Sequence, residues 1–264
     1  MIGGVIPAFD DDVWELYDGH TDFSQARNLA AENPEMLAKL QRLWLIEATK
    51  YNVLPIDDRG IERATPEVAG RPTLIKGTTQ LLFAGMGRLS ENSVVSVKNK
   101  SFSVTAELVV PEGGADGVII AQGGRFGGWS LYATAGRAAF VYNVLGIQEF
   151  KTEAAAPIPA GQHQVRMEFG YDGGGLGKGG DVTLYYDGEP VGTGRVDATQ
   201  AMIFSADETT DVGYESGTPV ASDYTTKNSR YSGRINWVRI DLGDDDHDHF
   251  IDPDERFRII MAKQ

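Results

Sequence analysis

Histidines and carboxylates are the residues in this sequence that could catalyse a hydrolytic reaction, and they are few and scattered. None of the four histidines has a plausible serine partner nearby in the sequence with which to form a nucleophilic pair; they are His20, His163, His247 and His249. Neither a Gly-x-Ser-x-Gly elbow nor a His-Glu-x-x-His stretch occurs. Glu107 stands alone on its predicted strand, whereas glycosidases use two carboxylates about 5 to 9 Å apart. The sequence therefore gives hydrolase chemistry no support, and only a triad assembled in space from distant residues stays open.

Aromatic side chains form a second group that could recognise a ligand. Trp129, Tyr132 and Tyr142 lie on predicted strands, where flat rings could provide a platform for a sugar. Successive residues of a strand point to opposite faces, so Trp129 and Tyr132 do not share a face. One of the two is therefore expected in the core. We predict these three residues as the candidate ligand platform, with core packing as the alternative.

The C-terminal stretch is rich in possible oxygen ligands for a metal. Residues 244 to 248 contain four aspartates, and calcium prefers such oxygens. The twelve-residue calcium loop between two helices is incomplete here, because the central glycine and the preceding helix are missing. We expect a solvated linker, with a metal site as the alternative, and we treat His247 and His249 as bystanders.

Glycines cluster between Gly170 and Gly180. A phosphate-binding loop of this kind needs a following helix whose N-terminus points at the anion. Val182 to Tyr186 follow instead, and these are strand-forming residues. The segment is therefore predicted to be a loop between two strands.

Composition limits the classes of partner. The 264 residues carry a formal net charge of −14, which repels the phosphates of nucleic acids and anionic lipids, so we expect neither a nucleic-acid nor a membrane partner. The absence of cysteine excludes disulfides, zinc–thiolate sites and thiol nucleophiles. No apolar run approaches the roughly 18 residues of a membrane-spanning helix. The length suits one large or two modest domains, each with its own core.

The middle of the chain is predicted to be β structure. Between residues 93 and 242, apolar and polar residues alternate in several short runs. Asp187-Gly188 is a favoured two-residue hairpin link, because glycine accepts positive φ and aspartate tolerates it. Many short strands with glycine-rich turns predict a mainly β fold, an antiparallel jelly-roll β-sandwich. The predicted strands are 102–109, 117–122, 129–133, 138–143, 164–169, 182–186 and 232–241.

The N-terminal part is predicted to contain a short strand and one helix. Val13 to Tyr17 are expected to form the strand. Asn33 is a suitable N-cap and Pro34 suits the first helical position. Apolar residues then recur at helical spacing, and a single amphipathic helix of this length needs a surface to cover its apolar face. The residues of this apolar stripe are Leu37, Leu40, Leu43 or Trp44, Ala48 and Tyr51.

The ordered series of N-terminal motifs resembles the end of the sulfatase domain in large bacterial arylsulfatases. In that family a β-sandwich extension of the concanavalin A or laminin-G type follows, and the middle of this chain looks like that extension. The resemblance implies that the chain is a C-terminal portion of such an enzyme. The segments that carry it are Asp11 to Asp18, Thr21 to Ala30, Asn33 to Glu35, Leu40 to Arg59, Phe126 to Tyr132, Tyr171 to Gly180 and Phe204 to Gly213.

The same resemblance implies which chemistry the chain lacks. Sulfatases use a formylglycine made from the first residue of a Cys/Ser-x-Pro/Ala-x-Arg motif, together with a calcium ion held by Asp and Asn side chains. No such pentad occurs in this sequence. Calcium and formylglycine are therefore expected only in a catalytic domain outside this chain. No catalytic, cofactor-binding or metal-binding residue of the family can be assigned here.

These expectations combine into an organisation of four parts. Residues 1–60 would be the end of a sulfatase domain, 61–92 a connector, 93–242 the jelly-roll sandwich, and 243–264 an acidic linker with a short helix. The implied function is a non-catalytic region that supports the stability, assembly or site entrance of the parent enzyme. The alternative is a lectin-like module that binds carbohydrate. Expected partners are the parent's catalytic domain and, through the N-terminal helix, a second copy of the chain.

Overall fold

The computed structural model describes residues 11–54, 56 and 61–243. The acidic cluster that begins at Asp244, with His247 and His249, and the expected C-terminal helix lie outside the described residues. The chain divides into two compact units, Met1–Arg63 and Ala64–Gln264. Each unit is considered by itself below.

One helix dominates the described part of the first unit. This helix, α1 (Pro34–Lys50), begins where predicted, with Asn33 at the N-cap and proline in the first helical position. The Asn33 side chain does not cap the helix, since its Nδ2 donates instead to the Leu29 carbonyl at 3.5 Å. The fixed φ of Pro34, which suits the first helical turn, therefore contributes more to the start than a side-chain cap.

The prediction of a strand from Val13 to Tyr17 is wrong, because these residues form no strand. Their main-chain contacts include two single bonds, from Leu29 N to the Leu16 carbonyl at 2.7 Å and from Leu16 N to Asn28 Oδ1 at 3.1 Å. A strand requires a continuous ladder with a neighbour, and the described residues provide none at this point. Residues 13–17 therefore form a segment without a strand partner, although their sequence alternates as a strand does.

The second unit contains the β-sandwich. It also contains a short helix, α2 (Pro66–Ala69), and a 3₁₀ turn at Glu91–Ser93. A further 3₁₀ turn spans Ile61–Ala64. The strands are β1 (Thr79–Leu82), β2 (Phe102–Val110), β3 (Gly117–Gly124), β4 (Gly127–Thr134), β5 (Arg137–Val144), β6 (Gln148–Glu153), β7 (Gly161–Tyr171), β8 (Lys178–Tyr186), β9 (Glu189–Ala198), β10 (Thr210–Val212) and β11 (Arg234–Leu242).

Two antiparallel sheets form the sandwich, which confirms the predicted fold class. The six-stranded sheet has the order β1-β11-β2-β7-β8-β9, and the five-stranded sheet has the order β10-β3-β4-β5-β6. Strands distant in sequence are neighbours in both sheets, as in jelly rolls. The main core lies between the sheets and includes Val104, Ala106 and Leu108 from β2 and Trp129 and Phe140 from the opposite sheet. Burial of a valine, leucine or phenylalanine side chain contributes about 1.5–3 kcal/mol.

The strands that were not predicted are the four edge strands. They are β1 and β9 in one sheet and β6 and β10 in the other. Edge strands have a neighbour on one side only, and β6 and β9 are largely exposed or half-buried, so apolar alternation is weak there. β1 lies within residues 61–92, which were expected to be a connector. The sandwich therefore begins earlier in the chain than predicted.

Two predicted turns have the expected geometry. Asp187 and Gly188 join β8 to β9 with φ values of 50° and 86°, as the favoured two-residue hairpin requires. The glycine-rich segment joins β7 to β8 and has no helix after it, so it is a hairpin loop as predicted. In the described part of the chain, no helix combines the length and the apolar character needed to cross a membrane.

Candidate functional site

A pocket of roughly 300 Å³ lies beside the edge strand β1 in the second unit. Its walls come from the start of α2, the segment before β1, the segment before β2 and the last residue of β11. Leu242 N donates to the Thr78 carbonyl at 2.7 Å, which joins the end of β11 to the chain just before β1. The lining residues are Pro66, Glu67, Thr73, Leu74, Ile75, Gly77, Thr78, Glu91, Asn92, Val94, Val95, Ser96, Lys98, Lys100 and Leu242.

The side chain of Gln80 fixes one wall of the pocket. Its Nε2 donates to the Ser93 carbonyl at 3.0 Å, and its Oε1 accepts from Val95 N at 2.8 Å. The segment 93–95 has no strand partner of its own, so this amide replaces the ladder that a neighbouring strand would provide. The Gln80 side chain therefore helps to hold this wall in place, together with the backbone hydrogen bond from Ser93 N to the Ser90 carbonyl at 2.9 Å.

A buried ion pair lies at the pocket. Lys98 Nζ contacts Glu91 Oε1, and both side chains are largely buried. The other carboxylate oxygen of Glu91 accepts from Phe204 N at 3.0 Å, and the Lys98 ammonium lies 5.1 Å from the centroid of the Phe204 ring. Such a pair needs additional hydrogen bonds to offset its desolvation, and the Phe204 amide supplies one. The Lys98–Glu91 pair is therefore a fixed polar part of the wall.

A second pair of opposite charges lies nearer to solvent. Lys100 Nζ is 3.6 Å from Glu67 Oε1, and both side chains are about one-third exposed. At this distance and exposure the pair contributes little to stability, typically below about 1 kcal/mol. Its donor and acceptor groups are correspondingly free to reorganise around a bound molecule. With two lysines and two glutamates, the charged groups of the pocket balance.

Ser96, which lines the pocket, has a hydroxyl group without a hydrogen-bond partner in the described part of the chain. Its Oγ is buried and has no hydrogen-bond partner among the described residues. A hydroxyl can donate one hydrogen bond and accept two, and leaving a buried one unpaired costs about 1–3 kcal/mol. An unpaired polar atom in a pocket wall is a candidate contact for a ligand or an ordered water.

The predicted aromatic platform is wrong, because its three members are inside the protein. Trp129 and Tyr132 are 0% exposed and Tyr142 is 2% exposed. Trp129 Nε1 donates to Gln122 Oε1 at 3.0 Å, and the Tyr142 hydroxyl accepts from Gln200 N at 3.0 Å. Trp129 and Tyr142 belong to the core between the sheets. No ring face of these residues is available to a sugar.

Tyr132 lies on the opposite face of its strand, as the alternation predicts, but that face is also covered. We call residues 214–231 the strap, and Val220, Ala221 and Tyr224 of the strap cluster with buried residues on the outer face of the five-stranded sheet. Tyr224 of the strap packs edge-on against Tyr132 with ring centroids 5.1 Å apart. The Tyr132 hydroxyl donates to Asp223 Oδ2 at 2.7 Å. Burial and this hydrogen bond raise the pKa of Tyr132.

Several further contacts hold the strap on the sheet. Asn143 Nδ2 donates to the Val220 carbonyl at 2.8 Å, and Lys151 Nζ lies 2.6 Å from Asp223 Oδ2. Tyr224 donates its hydroxyl proton to Ser130 Oγ at 2.8 Å. The Glu215 carboxyl is buried, and burial raises its pKa to about 8. Because of these contacts, the strap covers this part of the outer face, which is therefore not an open binding surface.

Histidine and acidic clusters give no catalytic or metal centre within the residues described. His163 Nδ1 lies 2.6 Å from Asp187 Oδ2 and its Nε2 lies 3.1 Å from the Ala160 carbonyl, so both ring nitrogens have partners and no serine is engaged. Among the described residues, no group of three or more histidine and acidic side chains could hold a metal ion. We therefore take the pocket beside β1 as the candidate site.

The pocket residues were not predicted from the sequence. They come from separate segments between residues 66 and 100 and from position 242, and only tertiary contacts bring them together. None has a spacing typical of a motif. Ser96 stands among valines, which gives a weak signal of a polar group at an apolar wall. That signal does not reveal the missing partner.

Comparison with known proteins gives likenesses at the level of structure only. No family model matches the chain, and no curated protein matches it. A carbohydrate-binding module (CBM40) of the IT-sialidase of Ruminococcus gnavus, solved with α2,3 sialyllactose, is similar with 13% identity and a TM-score of 0.42, over 73% of this chain and 100% of that one.

Two animal proteins are also similar in structure, with lower TM-scores. Domains LG4-5 of the mouse laminin α1 chain share 16% identity with a TM-score of 0.38, over 64% of this chain and 40% of that one. A SAP-like pentraxin of Limulus polyphemus shares 14% identity with a TM-score of 0.34, over 60% of this chain and 73% of that one. None of these three structures is described as a sulfatase, so they lend no support to the sulfatase resemblance.

Proposed function

We propose that the sandwich is a non-catalytic module that binds a carbohydrate in the pocket beside β1. Two observations carry this proposal: Ser96 is one of the residues that line the pocket, and its buried Oγ has no partner in the described part of the chain. A sugar hydroxyl would supply both the donor and the acceptor that Ser96 lacks. The neighbouring Lys100–Glu67 pair offers further donors and acceptors to the same ligand.

The charges of the pocket favour an uncharged sugar. Two lysines and two glutamates cancel within the pocket, and the whole chain carries a net charge of −14. An anionic glycan would meet repulsion from the chain without a compensating excess of positive charge in the site. Valines 94 and 95, with Ile75 and Leu242, offer apolar contact for the C–H groups of a sugar ring.

The size of the pocket points to a single sugar residue. Its volume of roughly 300 Å³ is at the lower end of ligand pockets, which span about 300–1,000 Å³. Small sites with few buried contacts bind weakly, since affinity per ligand atom is limited. We expect dissociation constants in the range of about 0.1–1 mM for monosaccharides.

Calorimetric titration of the full chain with neutral monosaccharides tests this proposal. We expect Ser96→Ala to weaken binding about tenfold while leaving the free energy of unfolding unchanged or slightly higher, because it removes an unpaired buried hydroxyl. Lys100→Met should weaken binding by a similar factor. Lys227→Met, an exposed lysine outside the pocket, is the matched control and should bind as the wild type does. Equal affinity in all four proteins would contradict the assignment of the site.

The exposed apolar residues of α1 in the first unit favour a second function, which is docking on another protein domain. Met36, Leu40 and Leu43 recur at positions i, i+4 and i+7 of α1, and each is close to half exposed. Leu37, Trp44 and Ala48, on a neighbouring face, are less exposed. We propose that Met36, Leu40 and Leu43 dock on a sulfatase-type catalytic domain. This proposal rests on the resemblance of residues 11–59 to the end of such a domain.

Co-expression of the chain with a sulfatase-type catalytic domain tests the second proposal. Leu40→Glu and Leu43→Glu should abolish co-purification, because each places a charge in an apolar contact. Ala38→Glu introduces the same charge at an exposed position outside the apolar stripe and should leave co-purification intact. Failure of the wild-type chain to bind, or equal loss in Ala38→Glu, would contradict docking through this face.

A further inference from the structure

Three large apolar side chains project from neighbouring turns at one end of the five-stranded sheet. Phe126 in the turn between β3 and β4 is 70% exposed. Leu145 and Ile147 in the turn between β5 and β6 are 56% and 83% exposed. We call these three residues the apolar tip. Single exposed apolar residues are common on protein surfaces, but three on two adjoining turns form a patch.

The two turns are fixed against each other. Asn143 Nδ2 donates to the Arg125 carbonyl at 3.1 Å, and Asn143 Oδ1 accepts from Gly146 N at 2.9 Å. A Cβ on Gly146 would lie 2.8 Å from the Arg125 carbonyl oxygen and 3.5 Å from Phe126 Cδ1. Because the turns touch through backbone and a buried amide, the apolar tip is presented as one preorganised surface.

Leu145 is an unfavourable residue for its position if only folding is considered. It has a φ of 55° and is followed by Gly146 with a φ of 68°. This is the turn geometry that favours Asn-Gly, and a leucine in the left-handed region costs stability. Its side chain recovers little of that cost by burial, since it is exposed. A contact outside the folded chain would account for an apolar residue at this position.

We propose that the apolar tip inserts into the interfacial region of a bilayer made of zwitterionic lipids. The three side chains expose on the order of 300–400 Å² of apolar surface, well below the roughly 800 Å² per partner of a stable protein interface. A lipid interface needs no such area, because each projecting side chain leaves water independently on insertion. The area therefore favours lipid over a second copy of the chain.

The net charge of the chain indicates which class of lipid the apolar tip would enter. The chain has a net charge of −14, so anionic headgroups repel it, whereas zwitterionic headgroups do not. Arg125, exposed beside Phe126, is placed to contact a lipid phosphate. The expectation of no membrane partner concerned electrostatic attraction, and insertion of an apolar tip does not depend on it. Insertion of three side chains predicts weak, reversible binding with half-saturation at about 1 mM lipid.

Sedimentation of the full chain with phosphatidylcholine vesicles tests this proposal. We expect binding that is insensitive to salt and weaker when phosphatidylserine replaces part of the phosphatidylcholine. Leu145→Asn and Ile147→Ser should each weaken binding about tenfold. Asparagine suits the φ of position 145, so Leu145→Asn should fold at least as well as the wild type. A loss of binding in that variant would therefore not reflect unfolding.

Leu176→Asn is the matched control, because Leu176 is also an exposed leucine in a hairpin loop. It should bind vesicles as the wild type does. Absence of wild-type binding, or equal weakening by Leu176→Asn, would overturn the proposal. Light scattering that shows self-association lost in Ile147→Ser, without vesicle binding, would assign the apolar tip to a second copy of the chain instead.

Discussion

At the scale of single residues, burial decides which side chains are structural. Trp129 has an obvious partner for its indole nitrogen in Gln122, and its ring lies 5.7 Å from that of Phe102 in the core. Glu215 is also buried, but in the strap and as a carboxyl whose ionisation the surroundings oppose. Ser96 is a buried hydroxyl in a pocket wall. Burial of a side chain, or of its polar atom in the case of Ser96, thus has a different consequence at each of these three positions.

Trp129→Ala should unfold or strongly destabilise the sandwich instead of affecting ligand binding alone. Replacing a fully buried tryptophan by alanine costs about 3–5 kcal/mol, since it leaves a cavity and an unpaired Gln122. Urea unfolding followed by far-UV circular dichroism measures this cost. A variant that retains wild-type stability would show that the core assignment of Trp129 is incorrect.

Glu215 makes the stability of the protein depend on pH. Burial raises its pKa from the ordinary value of 4.5 to about 8, with Asp211 and Glu208 adding repulsion. The folded chain therefore holds this proton more tightly than the unfolded chain. Its contribution is complete below about pH 4.5, declines as the pH rises and is lost above about pH 8.

Glu215→Gln isolates this effect, because glutamine resembles the protonated acid and can still accept from Val220 N. The stability of the variant relative to the wild type should increase between pH 5 and pH 9, by at most about 5 kcal/mol. Urea unfolding of both proteins at several pH values measures the difference. A constant difference across this range would show that the Glu215 carboxyl is not perturbed by its surroundings.

Sequence reasoning at the residue scale found the wrong aromatic residues for a physical reason. Alternation correctly separates Trp129 from Tyr132, but it does not reveal that the strap covers the second face. The strap is distant in sequence and has no strand pattern of its own. The binding role that we propose for Ser96 is equally hidden in the sequence, because it depends on a hydrogen bond that the Ser96 hydroxyl lacks in the described part of the folded chain.

At the scale of elements, strands with neighbours on both sides were predictable and edge strands were not. Central strands such as β2 and β5 are buried on both faces or covered by other segments, and their apolar content is high. β9 contains a proline and two glycines, and such residues are tolerated at an edge. β1 and β10 are only four and three residues long, too short for a period to appear. Their existence depends on the strand beside them.

The hairpin between β8 and β9 offers a test of an element that the sequence did predict. Asp187 has a φ of 50°, accepts from Gln164 N at 2.8 Å and contacts His163. Burial lowers the pKa of His163, but the hydrogen bonds to Asp187 and the Ala160 carbonyl outweigh it, so the pKa is raised. The resulting stabilisation is present below about pH 6.5 and is lost as the pH rises through the raised pKa.

Asp187→Asn should lower the pKa of His163 while preserving the turn, because asparagine tolerates positive φ and still accepts from Gln164 N. Asp187→Ala should also destabilise the protein by about 1–2 kcal/mol through loss of that hydrogen bond and poor tolerance of the φ. NMR titration of His163 and urea unfolding separate the two effects. An unchanged pKa in Asp187→Asn would show that the carboxylate does not stabilise the imidazolium.

At the scale of the whole molecule, the chain consists of two units whose cores differ. The second unit has a continuous core between two sheets. In the described part of the first unit, Ala48 is the buried residue of α1, and Trp44 packs edge-on against Trp14 with ring centroids 5.7 Å apart. A helix with so little burial depends on other contacts for its stability. The sequence predicts that α1 needs a covering surface, and the expected partners, a sulfatase-type catalytic domain or a second copy of the chain, stay predictions.

A chain that begins at Ala64 should therefore fold without the first unit. Its melting temperature should lie within about 5 °C of that of the full chain, because the core between the sheets is contained in residues 64–264. Residues 11–54 alone should show little helix by circular dichroism. A truncated sandwich that fails to fold would show that the two units share a core.

The central claim is that the pocket beside β1 binds an uncharged sugar through Ser96. Crystallisation of the full chain with the neutral monosaccharide that binds best in calorimetry tests it most directly. The claim predicts electron density for the sugar in the pocket, with a sugar hydroxyl within about 3.2 Å of Ser96 Oγ. Density for the sugar elsewhere on the sandwich, or a pocket that stays free of sugar at saturating concentration, would contradict it.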